Sequence, residues 1–171
     1  MLLTTAELLQ LVDDGVITNV APNAVKGTSI DVRLHPTLLL ERKPNWFEPK
    51  GIVPKQTKMA FTIKDLTHSR HQMHPHQFLL GALMESVNLP NTLTAKFYLD
   101  STPARAGLQH SAAISLKPDW KGRLTLELTN ASQWHWIELW EEMPIGYIEI
   151  VRHAEAKSYD GHFQDQSVVG G

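Results

Sequence analysis

Cysteine is absent from all 171 residues of the chain. Its absence excludes a disulfide framework and a cysteine-held metal, and it favours the reducing cytoplasm as the compartment. An excess of one charge is also absent, since the formal net charge is only −2, so nothing indicates a nucleic-acid partner. No apolar run is long enough to span a bilayer, and no signal peptide is evident, so no membrane partner is expected. These properties predict one compact soluble domain.

A short N-terminal helix is the first element that the sequence predicts. Thr4 and Glu7 fit a capping box, Leu3 and Leu8 fit a hydrophobic staple, and Gly15 is expected to end the helix. Most of the remaining chain consists of short strand-like runs broken by proline, glycine and asparagine. Many short strands after one helix predict a mainly β domain, a distorted β-barrel or jelly-roll-like fold. Strands are expected at 29–34, 38–42, 61–63, 78–86, 93–99, 107–110, 122–130 and 145–152, with a second short helix at 102–105.

The strand around Glu127 has the clearest pattern. Apolar and polar residues alternate strictly from Arg123 to Thr129, which places the leucines on one face and Glu127 on the other. A carboxylate on the polar face of a half-buried strand suits a general base. The same alternation fits a solvent-facing glutamate on an ordinary strand, and by itself it favours that simpler interpretation.

A histidine-rich run precedes the predicted strand at 78–86. His68, His71, His74 and His76 have the composition of a metal site. Pro75 and the lack of any carboxylate between the histidines favour a polar loop instead.

Three tryptophans and one charged pair allow simpler interpretations. Trp134, Trp136 and Trp140 fit an apolar strand or turn packed against the core or a neighbouring subunit, with stacking on a nucleobase as the alternative. Asp31 and Arg33 fit a structural ion pair on one strand.

Several short motifs occur in an order that resembles the dCTP deaminase family. Residues 85–90 read ESVNLP, residues 100–108 read DSTPARAGL, residues 117–127 read KPDWKGRLTLE, and residues 143–146 read MPIG. A polar tail from Tyr159 to Gln166 follows, and the resemblance covers nearly the whole chain. The common zinc deaminases hold their metal with cysteines beside a His-x-Glu motif. This chain has one such motif, at His153, but no cysteine, so we expect no zinc.

The resemblance implies a fold shared with the trimeric dUTPases and a homotrimer with active sites between subunits. It implies hydrolytic deamination of dCTP to dUTP and ammonia, which supplies dUMP and dTTP synthesis. Mg²⁺ would arrive bound to the nucleotide phosphates. Residues 1–156 would form the β domain, and 157–171 a mobile tail that closes over the nucleotide.

The resemblance also assigns roles to individual residues. Glu127 would be the catalytic base, while Ser101 and Arg105 hold the water and stabilise developing charge. The substrate-binding positions that it implies are Asp100, Thr102, Lys117, Thr125, Leu126, Tyr159, His162 and Gln166.

Three of these positions depart from the family pattern. Asp100 stands where the family has a phosphate-binding arginine, Lys117 where it has an aspartate, and His162 where it has a lysine. Alternatives therefore remain: a deaminase of dCMP or of a modified cytosine nucleotide, a dUTP diphosphatase, or a non-catalytic nucleotide-binding relative. Lys117 argues against the diphosphatase, because a charged lysine cannot serve as its base.

Overall fold

The computed structural model describes residues 1–54, 59–111, 114–154, 156–159, 164–165 and 169. Helix α1 spans Thr5–Asp13, and its capping box is formed as the sequence predicts. The Thr4 hydroxyl accepts from the Glu7 N–H, and the Glu7 carboxylate accepts from the Thr4 N–H. Gly15 follows with φ +70°, a left-handed conformation that suits glycine and ends the helix.

Short antiparallel strands make up most of the regular secondary structure in the described chain. The strands are β1 Ile17–Thr18, β2 Val25–Lys26, β3 Ser29–Arg33, β4 Thr37–Glu41, β5 Phe61–Asp65, β6 Arg70–Met73, β7 Phe78–Ala82, β8 Ser86–Asn88, β9 Leu93–Leu99, β10 Leu108–His110, β11 Ser115–Leu116, β12 Lys121–Gly122, β13 Thr125–Asn130, β14 Ile137–Trp140 and β15 Pro144–Arg152. Two five-stranded sheets have the orders β10–β13–β7–β4–β5 and β11–β9–β15–β3–β2, and two smaller sheets are β1–β8–β12 and β14–β6. Their buried side chains form one hydrophobic cluster, and a second helix, α2, spans Ser101–Arg105.

The mainly β prediction is confirmed, but two predicted strands are each divided in two. The run 78–86 forms β7 and β8, and the run 122–130 forms β12 and β13. In both cases the chain leaves a five-stranded sheet for the three-stranded sheet, or the reverse. Local alternation does not reveal such a change, because it reports burial and not which strand is the neighbour.

The histidine-rich run was wrongly predicted to be a loop throughout. Residues Arg70–Met73 form β6, which pairs with β14. The tryptophans of β14 and the turn before it are exposed, while Ile137 and Leu139 are buried. In β14 the aliphatic side chains pack in the core and Trp140 does not, because Ile137 and Leu139 lie on the face of the strand that is turned toward the core.

The predicted ion pair between Asp31 and Arg33 is also wrong. Arg33 instead contacts Glu85 and Glu142, with N–O distances of 3.0 Å to each. Asp31 pairs with Lys26 across β2 and β3, at 2.5 Å. Asp31 and Arg33 therefore pair with residues of neighbouring strands and loops and not with each other.

No helix in the described part of the chain combines the length and hydropathy that crossing a membrane requires.

Candidate active site

Strand β13, between β10 and β7 in a five-stranded sheet, carries Glu127. Leu124, Leu126 and Leu128 are buried, whereas Thr125 and Glu127 on the other face are partly exposed. Directly opposite Glu127 in the register lies Leu80 of β7. The alternation predicted from the sequence is therefore confirmed, and the carboxyl group lies at a boundary between core and surface.

The Glu127 carboxyl group is half-buried, and no lysine or arginine pairs with it among the described residues. Its side chain is 29% exposed, and burial raises the pKa of the carboxyl group above its ordinary value. Oε2 is buried and has no hydrogen-bond partner among the described residues. A carboxylate with a raised pKa and an unused acceptor is suited to taking a proton from water.

His110 of β10 lies against this carboxyl group, and sequence analysis missed it. Its Nδ1 lies 3.6 Å from Glu127 Oε2 and 3.4 Å from the Glu127 carbonyl oxygen. The side chain is only 3% exposed, and its ring packs edge-to-face on Phe97 at 5.2 Å between centroids. Burial lowers the pKa of His110, which favours the neutral imidazole. No local motif marks this histidine; only the pairing of β10 with β13 brings it to Glu127.

Helix α2 presents the other predicted catalytic residues, Ser101 and Arg105. Both are exposed, and the helix is held to the core by buried Pro103. Asp100 is the N-cap, and its carboxylate accepts from the Ser101 N–H at 2.7 Å. An aspartate at this position therefore stabilises the start of the helix, which accounts for it without a ligand.

A cavity of about 800 Å³ adjoins α2. Its lining includes Asp100, Thr102 and Arg105 from α2 and its N-cap, together with Trp136 and Trp140. Glu127 does not line this cavity among the residues that the structure describes. The cavity therefore gathers predicted binding residues of α2 but not the predicted base.

The α2 residues and Glu127 are separated along the sheet. The Ala131 N–H donates to the Gly107 carbonyl just beyond α2, so α2 lies past the end of β13. Glu127 is four residues back along that strand, about 13 Å at the rise of a β-strand. Within the described chain no ion pair joins Arg105 to Glu127. One chain thus presents two halves of the predicted site on different parts of its surface.

The turn at 117–121 meets part of the C-terminal tail. Lys117 is exposed at this turn, and the Tyr159 N–H donates to the Pro118 carbonyl at 3.1 Å. Gln164, which belongs to the predicted tail but not to the predicted binding positions, donates from Nε2 to the Asp119 carbonyl at 2.6 Å. Its Oε1 accepts from the Lys121 N–H at 3.2 Å. Predicted residues Lys117 and Tyr159 thus lie in one region, while His162 and Gln166 lie outside the described residues.

Arg123, at the start of the alternating run that contains Glu127, is held by backbone carbonyl groups. Its guanidinium donates to the carbonyls of Leu83 and Met84. Lys117 and Lys121, on the neighbouring turn, are exposed.

The described ranges contain no cluster of side chains that could hold a metal ion. No group of three or more His, Asp or Glu side chains converges there, and this includes the histidine-rich run.

Comparison with solved structures identifies the fold. The chain is similar to the crystal structure of 2'-deoxycytidine 5'-triphosphate deaminase from Agrobacterium tumefaciens, with a TM-score of 0.70 and 17% identity. The match covers 88% of this chain and 47% of the Agrobacterium chain, so the present chain spans about half of that one. At this identity the likeness shows a common fold.

The sequence comparison then identifies the family. The dCTP deaminase-like family matches residues 2–152, and the chain belongs to that family. It is 30% identical over 141 residues to "dCTP deaminase, dUMP-forming" of Pseudarthrobacter chlorophenolicus, covering 81% of this chain and 72% of the relative. The enzyme of the same name from Clavibacter michiganensis subsp. michiganensis is 31% identical over 153 residues, covering 86% and 74%. The family resemblance read from the motifs is confirmed.

Proposed function

We propose that this chain deaminates a cytosine deoxynucleotide by hydrolysis, converting dCTP and water to dUTP and ammonia. The observation that carries the proposal is the Glu127 carboxyl group, which is half-buried, has a raised pKa and leaves Oε2 without a partner among the described residues. The names of the family and of its relatives supply the substrate class. Because the chain has no cysteine, the water is activated by this carboxylate and not by a cysteine-held zinc.

In the proposed reaction Glu127 moves protons while Ser101 and Arg105 hold the water. The carboxylate takes a proton from water, and the resulting hydroxide attacks C4 of cytosine. The carboxyl group passes this proton to N3, and the carboxylate then takes the hydroxyl proton and delivers it to the amino group, which leaves as ammonia and gives the uracil ring. Arg105 stabilises negative charge on the attacking oxygen, since a guanidinium keeps its proton throughout. The backbone of Thr125 and Leu126 meets the edge of the pyrimidine.

The proposed site is completed by a second subunit of a homotrimer. Its support is the distance between the two halves of the site, with α2 beyond one end of β13 and Glu127 near the middle of that strand. A head-to-tail interface closes a ring of identical chains. In such a ring α2 of one chain faces β13 of the next, which brings Arg105 to Glu127.

The phosphate group is bound by a different set of residues from those of the family pattern. Mg²⁺ enters on the triphosphate and reduces its repulsion from the Asp100 carboxylate. Lys117 supplies positive charge at the turn, and the tail brings Tyr159, His162 and Gln166 over the nucleotide. Thr102 replaces a serine of the pattern at the start of α2.

A second candidate reaction is formation of dUMP, in which deamination is followed by loss of pyrophosphate. The names of both bacterial relatives favour it. Lys117 opposes it in this chain, because the family pattern has an aspartate there and a charged lysine cannot activate a water.

The test is incubation of the purified full chain with Mg²⁺ and, in separate reactions, dCTP, dCMP and dUTP. Products are separated by chromatography, pyrophosphate is measured, and Glu127→Gln is the control. We expect dCTP to give dUTP and ammonia, with no pyrophosphate and no product from the variant. Formation of dUMP with pyrophosphate would support the second reaction. Turnover of dCMP alone would mean that the substrate is the monophosphate, and no turnover would indicate a nucleotide-binding protein.

A further inference from the structure

The contact between His110 and Glu127 has an unusual arrangement of polar atoms. Nδ1 of His110 faces two oxygens of Glu127, the carbonyl oxygen at 3.4 Å and the carboxyl Oε2 at 3.6 Å. Nε2 of the same ring and Oε2 itself are buried, and neither has a hydrogen-bond partner among the described residues. The second distance is only slightly longer than a hydrogen bond.

These contacts determine which nitrogen carries the proton. With the proton on Nε2, that buried donor would be unsatisfied, and the Nδ1 lone pair would face two oxygen atoms. With the proton on Nδ1, the ring donates toward Glu127, and the unpartnered Nε2 is only an acceptor. The neutral Nδ1–H tautomer therefore has the lower energy at this position.

We propose that His110 is a positioning residue, whose Nδ1–H holds the Glu127 carboxylate in place and stabilises its charge. The inference rests on the proposed role of Glu127 as the base. An Nδ1–H donor offsets part of the cost of burying the carboxylate. The ring is itself fixed by edge-to-face packing on Phe97, at an interplanar angle of 78°. A small movement of the carboxyl group toward Nδ1 completes the hydrogen bond.

Other charged groups do not account for the state of this carboxyl group. Across from Glu127, β7 presents Leu80, and β9 presents Phe97 to the imidazole. On the same face of β13 the titratable neighbour is Arg123, whose guanidinium donates to the carbonyls of Leu83 and Met84. Within 4 Å, His110 is the ionisable partner of Glu127 in the described chain.

Three substitutions separate a donor at the Nδ1 position from simple packing. His110→Asn places an amide N–H near the position of Nδ1, and His110→Gln places it near Nε2. His110→Leu fills the space against Phe97 without any donor. The full chain is labelled with ¹³C at glutamate carboxyl groups, and the Glu127 signal is assigned by its loss in Glu127→Gln. Its pKa is then measured by NMR titration, which requires no turnover.

We expect His110→Leu and His110→Gln to raise the pKa of Glu127 by roughly one unit, and His110→Asn to leave it within about half a unit. If dCTP is turned over, the acid limb of the kcat/KM profile should move upward by the same amount in the first two variants. Their deficit would then shrink as the pH rises, which a defect of packing alone would not produce.

Equal pKa values of Glu127 in the Asn and Gln variants would overturn the proposal, whether or not His110→Leu folds. Thermal unfolding checks that each variant is folded. The titration reports on His110 even if no nucleotide is deaminated, so failure of the proposed function and failure of this inference are distinguishable.

Discussion

Glu85 and Glu127 are both carboxyl groups at the edge of the core, and burial raises the pKa of each. Glu85 is completely buried, and its two oxygens accept from the Arg33 backbone N–H at 2.9 Å and from Nε at 3.0 Å. Glu127 is less buried, yet Oε2 has no hydrogen-bond partner among the described residues and faces the imidazole of His110, whose pKa is lowered by burial.

The difference between the two sites separates a structural carboxylate from one available for chemistry. Around Glu85 the acceptors are used by Arg33, which also contacts Glu142 and the Asn19 carbonyl and so joins several loops and strands. Around Glu127 the neighbours provide burial and one candidate donor, the Nδ1–H of His110, which lies slightly beyond hydrogen-bond distance of Oε2. A buried carboxylate that is only partly compensated costs stability and retains proton affinity, both of which suit a general base.

The largest effect is expected from Glu127→Gln. The amide has nearly the same shape but cannot accept a proton, so kcat for dCTP should fall by about 10²–10⁴-fold or more. Measured nucleotide binding and cooperative unfolding should be retained. A variant that kept more than a tenth of the activity would show that Glu127 is not the base.

The same substitution at the other site, Glu85→Gln, should act on stability instead. It removes the buried counter-charge of Arg33, and the free energy of unfolding should decrease by about 2–3 kcal/mol. Urea denaturation measures this change. The activity per folded molecule should be unchanged, and a large loss of kcat without loss of stability would contradict the comparison.

A smaller effect follows from the raised pKa of Glu127. A raised pKa in the folded state means that folding favours the protonated form of Glu127. Protonated Glu127 therefore contributes its full stabilisation at pH values below the pKa of the unfolded chain, near 4.5. That contribution is lost as the pH rises through the folded-state pKa. Glu127→Gln is always neutral and should therefore be more stable than the parent at pH 7, by less than about 1 kcal/mol. Denaturation at pH 7 and pH 4 tests this, and a difference that did not shrink at pH 4 would count against it.

The smallest effect is expected from Glu142→Gln, the second carboxylate of Arg33. Its side chain is 54% exposed, so solvent already screens this ion pair. The free energy of unfolding should change by no more than about 0.5 kcal/mol. A loss as large as that of Glu85→Gln, measured in the same urea series, would mean that burial is not what distinguishes the two partners.

Local patterns were sufficient where a few neighbouring residues decide the structure. The capping box of Thr4 and Glu7 and the alternation of β13 were both predicted, because each depends on residues only two to four positions apart. The partner of Arg33 was not predicted, since Glu85 is 52 residues away along the chain. The strand β6 was missed because Arg70–Met73 is mostly polar and looks unlike a strand by itself; its pairing with β14 makes it one.

The sequence by itself determined the mainly β class, the family and the placement of Glu127 on the polar face of a strand. These depend on periodicity and on the order of short motifs, both of which are properties of the linear chain. Only the tertiary structure decided which groups surround that carboxylate. The approach of His110, the commitment of Arg123 to carbonyl groups and the distance of α2 from Glu127 all follow from strand pairing. Pairing joins residues that are distant in sequence, and no local pattern records it.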